Sequence, residues 1–290
     1  MAILTRGNRH EKKPPPQVRG TPKEQSGKVS PAIALVIPAR WGSTRFPGKC
    51  LHVIAGKPLV QHVWERALLA KNISRVLIAT DDERIARASR GFGAEVAMTS
   101  PDHPSGTDRI AEVAARLRGI THFINVQGDE PMIDPKLISA LAREMLKDEE
   151  IGMITAATPF ENPEESDNPN CVKVIAARNG NALYFSRGRI PFQRDAHDQT
   201  SAVLPLLHLG IYGYRRDILK KIVRLTPSPL ELCEKLEQLR ALEHGIPIRL
   251  LQTTHRGVGV DTPSDAIRAE RMILAVSEHK KQKGRSRPQK

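Results

Sequence analysis

The strongest constraint on the fold is a repeated alternation of short β-branched apolar runs with segments of helical periodicity. The apolar runs are residues 32–39, 75–80 and 122–127. Helical spacing of apolar residues marks the segments that follow them, which are residues 58–71, 81–92, 107–117 and 135–148. Strands that alternate with helices in this way form a parallel sheet covered by helices on both faces. We therefore predict an α/β fold with three layers, α/β/α.

The second half of the chain has strand character with few intervening helices. Its strand-like runs are residues 152–160, 170–177, 182–187 and 207–216. We expect a smaller, mixed part of the sheet here, which is a candidate platform for a dimer. Helical patterns return at residues 229–244 and 263–279, with one more strand at 246–253 between them.

The charge of the chain is concentrated at its two ends. The formal net charge is +13, of which residues 1–30 contribute +5 and residues 279–290 contribute +6, so residues 31–278 carry only +2. We predict disordered basic extensions at both ends and one domain over residues 31–278. A sequence pI near 9.9 leaves open a basic nucleic-acid-binding protein. The nearly neutral central region and an aromatic content of 4% argue against specific nucleic-acid binding.

Neither membrane insertion nor a bound transition metal is expected from this sequence. The amino-terminal segment lacks the apolar core of a secretory signal, and no apolar run reaches the roughly 18–20 residues of a membrane span. A cytoplasmic protein is therefore expected. Cys50, Cys171 and Cys233 are widely separated, and the ten histidines show no ligand spacing, so neither a disulfide framework nor a zinc site is indicated.

The loop after the first strand is the best candidate for binding phosphate. In open α/β sheets, ligands bind beyond the carboxyl ends of the strands. The stretch "ARWGSTRFPGK" there contains Arg40, Arg45 and Lys49, three cations that suit a triphosphate. A Walker loop would have a Ser or Thr after its Lys, whereas Cys50 follows Lys49. A solvated basic turn is the alternative interpretation.

Two aspartates are candidates for holding a divalent cation. Asp129 in "VQGDEP" follows the third strand, and one or two carboxylates together with substrate phosphates are the usual ligands of Mg²⁺. Asp261 in "GVGVDTPSD" is a second candidate. Because Thr262 and Pro263 follow and a helix begins, Asp261 could equally be an ordinary helix cap.

Further polar clusters lie at predicted helix starts and along one strand. Ser105, Gly106 and Thr107 directly precede a helix, so they are predicted to cap it and could also present N–H groups to a base. Alternation along the strand at 207–216 places on one face His208, Gly210, Tyr212 and Tyr214. Glu237 and Gln238 lie within the helical pattern at 229–244, where solvated polar positions are the default.

These stretches occur in the same order as the motifs of a known enzyme family. The set "IPARWGSTRFPGK", "ATDDERI", "DHPSGTDRIAE", "NVQGDEPMI", "NPNCVKVI", "ALYFSRGRIPF", "HLGIYGYRRDIL", "PSPLELCEKLEQLRALEHG" and "GVDTPSD" resembles the 3-deoxy-manno-octulosonate cytidylyltransferase (CMP-Kdo synthetase) family. The similarity spans about residues 32–276. The first loop departs from the pattern at Trp41, where relatives often have Tyr.

The resemblance implies a nucleotidyltransferase-type sandwich with a mostly parallel mixed sheet and a smaller dimerisation subregion. It implies CTP and 3-deoxy-D-manno-octulosonate (Kdo) as substrates, CMP-Kdo and diphosphate as products for lipopolysaccharide synthesis, Mg²⁺ as cofactor and a homodimer. The catalytic residues implied are Arg40, Lys49 and Asp129. The CTP-binding residues implied are Arg40, Ser43, Arg45, Lys49, Thr80, Ser105, Gly106, Thr107 and Arg109. The sugar-binding residues implied are Gln127, Arg187, His208, Tyr212, Glu237 and Gln238, and the metal ligands are Asp129 and Asp261.

The chemistry expected of such a site needs no side-chain nucleophile. The anomeric hydroxyl of Kdo would attack the α-phosphorus of CTP in line with the departing diphosphate, and the protein would contribute positioning and electrostatic stabilisation. A CMP-sialic acid synthetase-like transferase is the nearest alternative, because it would share the CTP loop and differ in the sugar wall.

Overall fold

The computed structural model describes residues 31–43, 45–194 and 205–285, with side chains described up to residue 278. The predicted amino-terminal basic extension, residues 1–30, lies outside the described residues. None of the described helices is both long enough and apolar enough to cross a membrane.

Eleven strands and eight α-helices form in the described residues. The strands are β1 (Ile33–Ala39), β2 (Val53–Ile54), β3 (Lys57–Pro58), β4 (Arg75–Thr80), β5 (Glu95–Met98), β6 (His122–Asn125), β7 (Met153–Pro159), β8 (Lys173–Ala176), β9 (Ala182–Ser186), β10 (Leu206–Arg215) and β11 (Ile248–Gln252). The helices are α1 (Leu59–Ala67), α2 (Glu83–Gly91), α3 (Gly106–Arg116), α4 (Pro135–Lys147), α5 (Arg216–Ile222), α6 (Pro229–Glu234), α7 (Gln238–Glu243) and α8 (Pro263–Arg285).

The main sheet is mostly parallel, as predicted. Its strand order is β11-β7-β10-β6-β1-β4-β5, with β8 and β9 attached to one end of β10. Along that path only β10 runs against its neighbours, since it pairs antiparallel with both β6 and β7. Of the four strand-like runs predicted to form a smaller mixed part, two are β7 and β10 of the main path, and the other two form the antiparallel attachment β8–β9.

Two hydrophobic cores sandwich the sheet, and alternation along β1 supplies both. Ile33, Leu35 and Ile37 enter the core beneath α1, α2 and α4, whereas Ala34 and Val36 enter the core beneath α3, α5 and α7. All five side chains are fully buried. A strand buried on both faces has a continuous apolar sequence, which is the pattern observed at residues 32–39. The predicted α/β/α sandwich is therefore confirmed.

The sequence patterns did not resolve every element correctly. The helix predicted over 229–244 is two short helices, α6 and α7, because Lys235 adopts a left-handed conformation with φ of 53°. The edge strand β5 was not predicted, since it is four residues long and pairs only with β4. α8 extends to Arg285, beyond the tail boundary predicted at residue 279, because Lys, Gln and Arg are good helix formers. Residues 286–290 lie outside the described residues.

Close packing between β10 and the helix layer generates a stability prediction. A Cβ at Gly213 would lie 2.7 Å from Cγ2 of Ile154 and would also collide with Sδ of Met145. Both neighbours are buried core residues. Gly213→Ala should therefore lower the free energy of unfolding by about 1–3 kcal/mol, measured by urea denaturation, because overpacking forces side chains out of their preferred rotamers.

Gly91→Ala is the matched control for that substitution. Gly91 ends α2, and a Cβ there meets nothing within 4 Å. Its stability should be unchanged or slightly increased, because Ala is the better helix former. Equal unfolding midpoints for the two variants would contradict the packing argument.

Candidate active site

A cleft of about 510 Å³ opens at the carboxyl ends of β1 and β6. This is the edge of the sheet at which the sequence analysis predicts ligand binding. Fifteen of the predicted site residues line the cleft, namely Arg40, Ser43, Arg45, Lys49, Ser105, Gly106, Thr107, Arg109, Gln127, Asp129, His208, Tyr212, Glu237, Gln238 and Asp261. Thr80 and Arg187 do not line it.

The loop after β1 is folded around the side chain of Trp41. The carbonyl oxygen of Trp41 accepts hydrogen bonds from the backbone N–H groups of Ser43 at 2.8 Å and Gly48 at 3.1 Å. Gly48 has φ of +69°, and a Cβ there would lie 2.9 Å from the Trp41 ring. The guanidinium of Arg84 covers the ring at 3.4 Å from its centroid. The loop that carries the three cations is therefore held by packing as well as by backbone hydrogen bonds.

Lys49 joins the two aspartates that were predicted to bind metal. Its Nζ lies 2.5 Å from Oδ2 of Asp129 and 3.1 Å from Oδ1 of Asp261. It also donates to the carbonyl oxygen of Val260 at 3.2 Å. Burial alone lowers the pKa of Lys49, but the two carboxylates outweigh that effect and raise the pKa above its ordinary value. The ammonium is therefore charged throughout the neutral range.

A close approach between two strand ends places Asp129 at the cleft. Gly128 follows β6, and a Cβ there would lie only 2.8 Å from the carbonyl oxygen of Pro38 in β1. Only glycine therefore allows the chain to pass this close to β1. The backbone oxygen of Asp129 then accepts from the N–H of Val260 at 2.9 Å, which brings in the segment before α8.

Asp261 is not the cap of α8, which decides between the two interpretations of this residue. Thr262 and Asp265 form reciprocal bonds at the start of the helix, with Asp265 N–H donating to Thr262 Oγ1 at 3.3 Å and Thr262 N–H donating to Asp265 Oδ2 at 3.0 Å. The carboxylate of Asp261 instead forms one ion pair with the ammonium of Lys49 and another, at 3.0 Å, with the guanidinium of Arg45. Asp261 is therefore free of any capping role and faces the cleft.

The chemistry of this pair of carboxylates fits a hard divalent cation. One ammonium touches both Asp129 and Asp261, so both carboxylates can reach a single cation. No cluster of three or more His, Cys, Asp or Glu side chains able to hold a metal occurs among the residues with described positions. Two protein carboxylates, completed by substrate phosphates and water, are the usual set for Mg²⁺.

The start of α3 forms the wall of the cleft opposite the loop. Ser105 caps the helix, since its Oγ accepts from the N–H groups of Thr107 at 3.1 Å and Asp108 at 3.3 Å. Arg109 is buried and forms an ion pair with Asp81 at 3.4 Å. Thr80 lies behind this wall, fully buried, and its Oγ1 accepts from the N–H of Asp82 at 3.2 Å. Thr80 was predicted to bind the nucleotide, and it does not line the cleft.

The third wall is the face of β10 that alternation predicted. His208, Gly210, Tyr212 and Tyr214 all line the cleft, and the rings of His208 and Tyr212 lie 5.4 Å apart. Nε2 of His208 is 3.0 Å from Oγ1 of Thr155. Its desolvated surroundings lower the pKa of His208 to about 3, so the imidazole is neutral near pH 7. This wall offers polar groups without a positive charge.

The break between α6 and α7 turns Glu237 and Gln238 into the cleft. Thr107 Oγ1 donates to Oε2 of Glu237 at 3.0 Å, which links this corner to the start of α3. Gln238 is buried, and its Nε2 has no hydrogen-bond partner among the described residues. A buried amide donor left unpaired at a cleft costs free energy unless a ligand accepts its hydrogen bond.

Arg187 supports that corner without lining the cleft. Its guanidinium donates to the carbonyl oxygens of Glu234 at 2.7 Å, Pro169 at 3.0 Å and Lys235 at 3.4 Å. Those bonds satisfy carbonyl groups at the helix break. Arg187 was predicted to contact the sugar, and it does not line the cleft.

Several cleft residues were not predicted from the sequence. Asn125, at the end of β6, and Lys235, at the helix break, both line the cleft. Glu130 follows Asp129 without lining the cleft, and its enclosed surroundings together with the charge of Asp129 raise its pKa to about 8. Asn125 is a polar residue inside the apolar run predicted at 122–127, and this could have marked it as a candidate cleft residue. The left-handed turn at Lys235 had no signal in the sequence, because the helical pattern at 229–244 continues through it.

Comparison with known proteins shows which sequences this chain is similar to. Residues 34–249 match the sequence profile of the cytidylyltransferase family. The 3-deoxy-manno-octulosonate cytidylyltransferase of Geobacter sulfurreducens is 50% identical over 240 residues, which is 80% of this chain and 96% of that protein. The protein of the same name from Myxococcus xanthus is 48% identical over 240 residues, which is 83% of this chain and 96% of that protein.

Solved structures agree as well. A structure described as CMP:2-keto-3-deoxy-manno-octonic acid synthetase complexed with CTP matches with a TM-score of 0.80 at 41% identity, covering 84% of this chain and 99% of that one. A cytidylyltransferase from Leptospira borgpetersenii, at 17% identity and a TM-score of 0.53, shares the fold over 81% of this chain and 83% of that one. On these sequence identities and this structural match, the chain belongs to the 3-deoxy-manno-octulosonate cytidylyltransferase family.

Proposed function

We propose that this protein transfers CMP from CTP to Kdo, giving CMP-Kdo and diphosphate, and thereby activates Kdo for lipopolysaccharide synthesis. The observation that carries the proposal is the junction at which Lys49, from the loop after β1, meets Asp129 and Asp261. The named relatives support the choice of sugar, and the similar synthetase that was solved in complex with CTP supports the choice of nucleotide.

The loop after β1 is proposed to hold the triphosphate. Arg40, Arg45 and Lys49 line one side of the cleft, and all three supply only donors and positive charge. Such groups neutralise charge as it develops on the non-bridging oxygens and on the departing diphosphate. Ser43 lies in the same loop and offers its hydroxyl to the same ligand.

Asp129 and Asp261 are proposed to hold Mg²⁺. When bound, Mg²⁺ would supply Lewis-acid polarisation of phosphate oxygens. The two aspartates come from chain segments that are joined by the hydrogen bond from Val260 to Asp129. They therefore reach the cleft as a pair, and neither depends on the nucleotide to bring it there.

The cytidine and the sugar acid are proposed to occupy the other two walls. Ser105, Gly106, Thr107 and Arg109 would hold the cytidine at the start of α3. Gln127, His208, Tyr212, Glu237 and Gln238 would hold Kdo, with the unpaired amide of Gln238 as a donor to a sugar oxygen. The anomeric oxygen of Kdo would then form its bond to the α-phosphorus while the bond to the departing diphosphate breaks. These walls orient the two substrates for in-line attack.

We also propose a homodimer formed through the smaller part of the sheet. β9 pairs only with β8, apart from one isolated bridge between Asn181 and Arg249. Large apolar side chains in and near it are exposed, with Leu183 at 61%, Phe192 at 88% and Leu232 at 53%. Exposed apolar side chains and an unpaired sheet edge are typical of interfaces between protein copies.

The transferase activity is tested directly by diphosphate release. Adding Kdo to the protein with CTP and Mg²⁺ should release diphosphate and form CMP-Kdo, whereas ATP, GTP and UTP should give little product. Replacing Kdo with sialic acid distinguishes the alternative transferase. Formation of CMP-sialate without CMP-Kdo would contradict the proposal.

Removing one proposed metal ligand should abolish turnover without unfolding the protein. Asp129→Asn should lower kcat by at least about a hundredfold, because electrostatic groups at phosphoryl-transfer sites typically contribute factors of this size or more. Circular dichroism should show an unchanged fold. Asp167→Asn, at a residue with a 60% exposed side chain outside the cleft, is the control and should retain its rate. A near-normal rate for Asp129→Asn at saturating Mg²⁺ would exclude Asp129 as a ligand.

The dimer prediction is tested by light scattering after size-exclusion chromatography. The unmodified protein should have twice the chain mass of 32.1 kDa, and Leu183→Glu should have the mass of one chain. Leu69→Glu, at a 70% exposed leucine just beyond α1, is the matched control and should remain dimeric. A monomeric unmodified protein would refute the interface.

A further inference from the structure

Lys49 connects three segments that are far apart in the sequence. Its ammonium contacts Asp129 after β6, and Asp261 and the Val260 carbonyl before α8, while its backbone begins the short 3-10 turn Lys49–Leu51. The Lys49 side chain is only 13% exposed, compared with 27% for Asp129 and 48% for Asp261. The contact is therefore more shielded from water than an ordinary surface ion pair.

Two carboxylates that meet at one point need a cation between them. Asp129 and Asp261 would repel each other in the shielded cleft if no positive charge touched both. Arg45 cannot serve this purpose, because its ion pair is with Asp261 alone and its side chain is 64% exposed. Among the described cations, Lys49 alone has ion pairs to both carboxylates.

The same two carboxylates are those assigned to Mg²⁺ in the proposed function, on which this inference rests. An ammonium and a divalent cation cannot use the same carboxylate oxygens at once without strong repulsion. The lysine stem has four flexible carbons, so its ammonium can move to a neighbouring anion without a change in the backbone. The triphosphate proposed to lie along the loop after β1 is such an anion.

We propose that Lys49 is a positioning residue that holds Asp129 and Asp261 together until a divalent cation takes its place. Lys49 then turns from the carboxylates to the triphosphate. The residue thus has two successive partners, and leaving the first frees it for the second. The exchange links occupation of the metal site to the appearance of a free ammonium beside the phosphates.

Binding of Mn²⁺ without nucleotide tests the competition. Free Mn²⁺ can be followed by its electron paramagnetic resonance signal during titration of the protein and of Lys49→Met, which keeps the length of the side chain and removes its charge. We expect Lys49→Met to bind Mn²⁺ about tenfold more tightly than the unmodified protein, which corresponds to about 1.4 kcal/mol. Arg45→Met is the control, and its change should be smaller because Arg45 touches one carboxylate and is more exposed.

The outcomes separate this inference from the proposed function. Equal Mn²⁺ affinity in the unmodified protein and in Lys49→Met, or weaker binding in the variant, overturns the exchange while leaving the CTP and Kdo assay unaffected. Absence of Mn²⁺ binding to either protein, with or without CTP, overturns the metal assignment and the exchange with it. Neither outcome depends on catalytic turnover.

A second measurement uses the unmodified protein and needs no folded variant. The reactivity of Lys49 toward acetic anhydride can be read by mass spectrometry of the peptide that contains it. Mg²⁺ alone should increase the acetylation of Lys49, because the ammonium leaves its carboxylate partners, and adding CTP should then decrease it. An unchanged reactivity on adding Mg²⁺ at concentrations that occupy the site would contradict the proposal.

Discussion

The parallel pairing of β1 with both β4 and β6 is the constraint on which the rest of the structure depends. β1 has a strand on each side and a core on each face, so its backbone and side chains are enclosed on all sides. Because β1 and β6 point the same way, the loop after β1 and the Asp129 turn after β6 emerge at one edge. Gly128 lies so close to the carbonyl oxygen of Pro38 that even a Cβ atom would not fit between them.

The walls of the cleft differ in their charge. One side of the cleft carries cations that only donate, and the junction carries two carboxylates that only accept. The β10 face of the cleft carries no positive charge near pH 7, since burial keeps His208 neutral and raises the pKa of Tyr212, which therefore holds its proton.

The antiparallel strand β10 gives the cleft its third wall. A register shift between Leu209 and Tyr212 interrupts its pairing with β7. The hydroxyl of Thr155 spans this irregular segment by donating to the carbonyl oxygens of Leu209 at 3.2 Å and Ile211 at 2.7 Å. Such a bulge re-aims neighbouring side chains, and it lies where His208 and Tyr212 face the cleft.

Sequence by itself determined the layers, the strands of the main sheet other than the edge strand β5, and the edge at which the ligand binds. Apolar runs and helical spacing encode these locally, as in the alternation of Ile33, Ala34 and Leu35 between two cores. Fifteen of the seventeen site residues implied by the ordered motifs also line the cleft. Thr80 and Arg187 were assigned from the same motifs and do not line the cleft.

Tertiary structure alone decided three features of the site. It joined Asp261 to Arg45 in the loop after β1. It placed Arg187, more than forty positions earlier in the chain, at the break in the helix predicted at 229–244, where its guanidinium donates to the carbonyl groups of Glu234 and Lys235. It joined Lys49 to Asp129 and Asp261, which are 80 and 212 positions away along the chain. Each of these contacts joins segments distant in sequence, so no local pattern could encode it.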